Sequence, residues 1–316
     1  MCNPPDLESH HSRQREIRAS VALILANKYK GGASTSDPES QTMSKVLNSW
    51  GNELKVAAAS DVDLGAFESL NTIAMNILAG AAARQDKNVL GIVPVLKEAI
   101  ASEHIGDIVS RSMGILVKDS DILTTKNHAI VRRFYKQWAY SQIVKPLYPL
   151  ALPTENGPAA ATKYRAAVLS IVSNCAFNVY EADVEPLLRL LITTLGDRNS
   201  VSSQQLTAAL EVLVEILANE PDALKSHLKA IIGGAVGVYE ESLSSAQSNL
   251  KRDPSRTSAR KLVLQALAAI PKKFEDRHLL SHSLKLQRVL SQACGDPARE
   301  VRQVARLARA NWANIK

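Results

Sequence analysis

The sequence predicts an all-α chain of stacked helical hairpins, and three observations carry that expectation. Aromatic residues make up only 4% of the 316 while the hydrophobic fraction reaches 46%. The apolar mass is therefore Leu, Ala, Ile and Val, which suits close helix packing better than the Tyr-, Phe- and Trp-rich strands of a sandwich. Apolar residues also recur at helical spacing through most of the chain, and polar, Gly- or Pro-bearing breaks interrupt them at an interval of about forty residues.

Taken in order, Met1–His11 reads as a disordered tail and residues 12–316 as one array, the repeats being plainest over 104–316. Gln41–Leu54 pairs with Leu64–Ala83, and Val89–Ala101 with His104–Val117. Trp138–Leu150 pairs with Lys163–Phe177 across the loop Pro153–Pro158. In the second half, VEPLLRLLITTL (Val184–Leu195) and QQLTAALEVLVEILA (Gln204–Ala218) flank a GDRNS turn. Leu224–Leu250 and Arg256–Ile270, ended by Pro271, flank KRDPS, and His278–Cys294 and Arg299–Trp312 flank a GDP turn. The Gly31–Ser40 stretch, GGASTSDPES, reads as a disordered inter-helix loop. About seven antiparallel pairs of this size fill the chain, the arithmetic of a HEAT/armadillo-type α-solenoid. No pair can bury its apolar stripe alone, so each must lean on its neighbours.

The formal net charge of +7 conceals an asymmetry. Residues 251–316 hold 15 Lys and Arg against 5 Asp and Glu, so the rest of the chain is mildly acidic. A basic block of this kind expects an acidic protein surface or nucleic acid as partner. Cys2, Cys175 and Cys294 are too few and too scattered for a zinc or iron–sulfur motif, which fits a reducing compartment. The opening MCNPPDLESHHSRQRE lacks the apolar run of a signal peptide, and no uncharged stretch is long enough to span a bilayer, so a soluble intracellular protein is expected.

Catalysis has no visible candidate. His278 and His282 stand four apart, as two metal ligands on a helix can, but a third ligand is missing. The GGxxG of Gly233, Gly234 and Gly237 lies within a helical stripe, where close packing or a kink explains it better than a phosphate cradle. Asp119 and Asp121 read as helix-capping acids, and Glu240 and Glu241 as residues of helix ends or polar turns. Neither a cofactor nor a metal is expected.

The last helix says more. Val301, Ala305, Ala308 and Trp312 share one face, and Arg302, Arg306 and Arg309 advance in the same steps along the adjacent face. An apolar seam thus runs beside an arginine stripe. The stripe is either a solvated surface or a docking surface whose guanidinium forks recognise carboxylates in pairs. Asp296 in the preceding turn and Arg302 form the arrangement of a HEAT second helix, in which both support adjacent repeats. Nucleic-acid binding is the weaker reading, since the region offers only Phe274 and Trp312 as aromatic platforms.

The segment DSDILTTKNHAIVRRFYKQ (Asp119–Gln137) resembles one family in Asp119, Ser120, Asp121, Leu123, Thr124, His128, Ala129, Val131, Arg132, Lys136 and Gln137. Tyr164, the leucine-rich Val184–Leu195, and Asp296, Val301, Arg302, Ala305, Ala308, Arg309 and Trp312 extend the likeness. Residues 100–316 are similar to the C-terminal HEAT-repeat region of the MMS-nineteen nucleotide excision repair family. Members are several times longer, so the chain is expected to be a portion of such a protein.

The resemblance implies a non-catalytic adaptor of the cytosolic iron–sulfur protein assembly targeting complex, active in cytoplasm and nucleus. It would bind a WD-repeat propeller and a MIP-eighteen-type subunit, and present apo-proteins such as DNA helicases and polymerases. Arg299, Arg302, Arg306 and Arg309 are the expected contact residues, with Arg133 and Lys136 as secondary candidates. Membrane partners are not expected, and direct nucleic-acid contact is disfavoured. The alternatives are a general HEAT-repeat scaffold, a nuclear-transport-type adaptor, and nucleic-acid binding through the basic block. Trp50, Trp138 and Trp312 do not form the regular ladder of a transport groove.

Overall fold

The computed structural model describes residues 4–28, 38–60, 62–152, 157–197, 201–248 and 254–315. Of the expected tail Met1–His11 and the loops Gly31–Ser40 and Pro153–Pro158, residues 1–3, 31–37 and 153–156 lie outside that set, whereas residues 4–11 open the helix Pro4–Lys28 and residues 38–40 open the helix Pro38–Ala59. Every regular element among the described residues is helical. The chain divides into two compact units, Met1–Val179 and Tyr180–Lys316.

The first unit holds α1 (Pro4–Lys28), α2 (Pro38–Ala59), α3 (Leu64–Ala83), α4 (Asn88–Ala101), α5 (Gly106–Ser112), α6 (Tyr135–Ala139), α7 (Tyr148–Ala151) and α8 (Pro158–Val172). Helix α1 packs on α3, and α2 on α4, the next-but-one contact that defines stacked hairpins. Asp63 starts α3 by accepting the Gly65 and Ala66 amides at 2.9 and 3.3 Å. The α3 C-terminus closes with a Schellman motif. The Asp86 amide bonds the Ala81 carbonyl at 3.0 Å, the Gln85 amide bonds Ala82 at 2.8 Å, and Gln85 is left-handed with φ of 58°.

The expected single helix over Trp138–Leu150 is not continuous. It runs from α6 into a π turn at Tyr140–Val144, a 3-10 turn at Lys145–Leu147 and then α7. Pro146 and Pro149 lack the amide hydrogens that an unbroken α-helix would use here. The His104–Val117 helix likewise divides into α5 and a 3-10 turn at Met113–Leu116. Helix α8 is stitched to these elements. Tyr164 Oη donates to the Lys97 carbonyl at 3.0 Å, and Ser170 Oγ accepts from the Gly114 amide and donates to the Arg111 carbonyl, both at 3.0 Å.

The second unit follows the sequence reading closely. It comprises α9 (Val184–Gly196), α10 (Ser203–Asn219), α11 (Leu228–Ser248), α12 (Pro254–Ala269), α13 (Asp276–Ala293) and α14 (Arg299–Ala313). The one revision is the start of the fifth expected pair, where a 3-10 turn at Pro221–His227 precedes α11. Helices α9 and α11, α10 and α12, and α12 and α14 pack as successive layers, giving three HEAT/armadillo-type hairpins. The first unit carries the same solenoid stacking up to its irregular run. Gly234 shows how tight the layering is, because a Cβ there would sit 2.8 Å from Leu195 Cβ on α9. Close packing, not a phosphate, accounts for that glycine.

A buried polar network fixes α14. Asp296, in the turn before it, accepts Arg260 Nε at 2.9 Å and Nη2 at 3.3 Å from α12, Tyr239 Oη at 3.2 Å from α11, and the Ala298 amide at 2.9 Å. Arg260 Nη1 also donates to the Ser242 carbonyl at 3.3 Å. Both Arg260 and Asp296 are 2% exposed. Burial, and then the Asp296 charge and hydrogen bond, push the Tyr239 hydroxyl well above its ordinary pKa. At the other end of α14, Pro271 offers no amide to the Leu267 carbonyl, and Trp312 Nε1 takes that acceptor at 2.7 Å. Asn311 Nδ2 donates to the neighbouring Ala268 carbonyl at 2.8 Å.

Two measurements check this packing. Asp296→Ala leaves the Arg260 guanidinium buried without its carboxylate and is expected to cost about 3–5 kcal/mol in urea unfolding. Gly234→Val should lower stability by about 1–3 kcal/mol through overpacking, whereas Gly233→Ala, with nothing within 4 Å of its Cβ, should be neutral or stabilising.

Candidate functional site

Two surfaces gather the sequence-predicted residues, one in each unit. In the second unit, Val301, Ala305, Ala308 and Trp312 are all 0% exposed, so the seam of α14 is a packed core face. Arg299, Arg306 and Arg309 stand exposed on the same helix and, among the described residues, have no hydrogen-bond or ion-pair partner. Arg302 differs. Its Nη1 turns back onto the Asp296 and Pro297 carbonyls at 2.7 and 3.0 Å, so its guanidinium braces the turn. Within the stripe Arg302 is therefore structural and Arg306 and Arg309 are free, as is Arg299 one turn before Arg302.

In the first unit, the segment 118–137 does not form the helix that Asp119 and Asp121 were expected to cap. It runs through turns, with a short 3-10 turn at Thr125–Asn127, before α6 begins. Asp119 Oδ1 instead accepts Lys136 Nζ at 2.7 Å, and that ammonium also donates to the Asn174 carbonyl at 3.0 Å. Ser120 Oγ, not either aspartate, accepts the nearby Ile122 amide at 3.2 Å. Lys136 thus ties the segment to the end of α8. Arg132 ties it to α3, its amide donating at 2.8 Å to the Ala83 carbonyl.

These ties leave an open cleft of about 900 Å³. It is lined from 118–119, from 131–137 and from the turn after α8, which brings Asn174, Cys175 and Asn178. The three non-glycine residues with left-handed backbone among the described residues are Gln85, His128 and Phe134, all on the segment or on the turn bonded to it. Gln85 Nε2 reaches the Arg133 carbonyl at 3.4 Å. Phe134 is the most costly of the three, at φ 65° and ψ 21° with a bulky ring 63% exposed. Such a residue carries a penalty of about 1–3 kcal/mol, and strain of this type gathers at functional positions. Arg133 sits over that ring, 4.8 Å from its centroid. Of the secondary candidates, Lys136 is occupied and Arg133 presents an exposed cation without an acidic partner among the described residues.

The remaining constellations lead elsewhere. Among the described residues no group of three or more His, Cys, Asp or Glu could hold a metal ion. His278 Nε2 is buried without a partner, and burial followed by the Lys229 charge lowers the His282 pKa. Glu240 and Glu241 are exposed within α11 and not at a helix end. No helix among the described residues is long and apolar enough to cross a membrane.

In the cleft, burial pushes the Cys175 thiol up to about 12 against the lowering pull of Lys136. Tyr135 is likewise raised to about 12, by burial first and then by Asp119 and Cys175. Only the thiolate is nucleophilic, so a raised pKa suppresses reactivity until the pH approaches that value. Near neutral pH, Cys175 should react with iodoacetamide at least about tenfold more slowly in the folded chain than in urea, read by mass spectrometry of its peptide.

The profile of the family MMS19_C, described as RNAPII transcription regulator C-terminal, matches residues 6–290. The MMS19 nucleotide excision repair protein homolog of Dictyostelium discoideum is 21% identical over 222 residues, covering 69% of this chain and 19% of that protein. Its Arabidopsis thaliana counterpart is 24% identical over 324 residues, covering 96% of this chain and 27% of that protein. The chain therefore spans about a fifth to a quarter of the length of these curated relatives. Among solved structures, a designed armadillo repeat protein aligns with a TM-score of 0.40 and 13% identity, over 92% of this chain and 98% of the other. The family match runs over most of the residues that build both units, and on it the chain belongs to the MMS19_C family.

Proposed function

We propose that the chain is a non-catalytic scaffold of the cytosolic iron–sulfur protein assembly targeting complex. In this reading it docks the WD-repeat propeller and MIP-eighteen-type subunits and presents apo-protein clients such as DNA helicases and polymerases, in cytoplasm and nucleus. Family membership supports a scaffold tied to repair and transcription. The observation that carries the docking role is the row of exposed arginines, Arg299, Arg306 and Arg309, on a helix whose adjacent face is fully packed. Guanidinium groups without internal partners can pair bidentately with carboxylates of another protein, and a helix fixed in place loses little freedom on binding.

The test is capture. Arg306→Glu with Arg309→Glu in the tagged chain should abolish co-purification of the propeller and MIP-eighteen-type subunits while the circular dichroism spectrum keeps its helical form. Undiminished capture would remove the arginine assignment. The basic block at 251–316 keeps nucleic acid as the second reading, which predicts DNA binding at low salt that falls steeply as salt rises.

A further inference from the structure

We propose that the cleft of the first unit is a second docking site, and that its occupant is an acidic peptide segment of a partner protein carrying an apolar side chain. The inference stands on residues other than those of α14 and does not depend on the targeting-complex reading.

Charge comes first. The cleft is lined by Lys118, Arg132, Arg133 and Lys136 against a single carboxylate, Asp119. That carboxylate is already engaged by Lys136. The side chains of Lys118 and Arg132 have no hydrogen-bond or ion-pair partner among the described residues, and Arg133 is held over the Phe134 ring. Three cations therefore converge on one opening without internal neutralisation, which favours an acidic occupant.

The apolar component is equally local. Ile130, Val131 and Phe134 are 39%, 41% and 63% exposed on the same short stretch. The stretch is tied down within, by the Arg132 amide on Ala83, and just beyond its end, by the Lys136 ammonium on Asn174, so it is presented as a rim. The left-handed backbone of Phe134 holds its ring in the open, stacked under Arg133. Gln137 and Asn178, also lining the cleft, supply exposed side-chain amides of the kind that meet peptide groups. A cleft of about 900 Å³ has room for a few residues of extended chain.

Nucleic acid fits less well. Single-strand readers track a backbone with successive aromatic platforms, whereas this cleft offers one exposed ring.

The experiment is fluorescence anisotropy with the whole chain and a short fluorescein-labelled peptide of alternating glutamate and leucine. A lysine–leucine peptide and single-stranded oligothymidylate serve as the other probes. The glutamate–leucine peptide should bind, the lysine–leucine peptide should not, and Arg132→Glu with Arg133→Glu should weaken binding about tenfold or more. Phe134→Gly keeps the left-handed backbone, relieves its strain and removes the ring. It should weaken binding about threefold or more without lowering Tm, which keeps the test decisive if the double reversal unfolds. A matched charge change on exposed lysines of the other unit, Lys225→Glu with Lys229→Glu, should leave the affinity unchanged. The proposal is overturned if the acidic peptide does not bind or if the Lys225 and Lys229 changes weaken it equally. Tighter binding of oligothymidylate, lost in the Arg132 and Arg133 variant, would overturn it in favour of a nucleic-acid site.

Discussion

Arg260 and Asp296 form a fully buried ion pair on which the geometry of the second unit turns. An isolated charge at either position would be intolerable in the core, and the two are kept there because each remaining donor and acceptor is answered by Tyr239, Ser242 or the Ala298 amide. Apolar side chains of similar volume would hold the helices together as firmly. They would not be directional. A carboxylate gripped by a two-pronged guanidinium from α12 and a hydroxyl from α11 accepts one orientation of the turn that carries it, and that orientation aims α14.

The fold was legible wherever apolar spacing and backbone hydrogen bonding agree. From α9 to α14 they agree, and the helix limits read from the chain lie within a few residues of those observed. Over 138–151 they part company. Ala139, Tyr140, Ile143, Val144, Leu147 and Ala151 keep helical spacing and are all buried, so the periodicity continues smoothly. The backbone meanwhile changes from α to π to 3-10 around Pro146 and Pro149. Side-chain spacing reports which face is buried and does not report which amide is missing. The Asp119 and Asp121 caps failed for a different reason, since the Asp119 carboxylate was drawn to a lysine on the next helix that local pattern could not connect to it.

At the candidate surfaces the legible part was again helical geometry. Counting along α14 places the arginines on one side, but cannot reveal that Arg302 folds back on two carbonyls while its neighbours stay free. Arg260, followed by a lysine, reads as surface charge, and only Asp296, thirty-six positions on, makes it a core residue. The cleft left no local trace because three separated stretches build it. Position 134 holds no glycine or asparagine to announce a left-handed backbone, and the ties at Ala83 and Asn174 that flank it come from distant parts of the chain.

The Trp312 indole and the Asn311 amide rest on adjacent carbonyls of α12, exposed to them by the proline that follows. Together with the brace at Arg302 they clamp α14 at both extremities, so the cylinder can neither roll about its long axis nor slide along it without stripping buried donors of their acceptors. The cationic teeth on its outer side consequently keep a constant pitch, like those of a rack and not of a loose brush. Whatever engages them meets a ruler whose divisions were set inside the core.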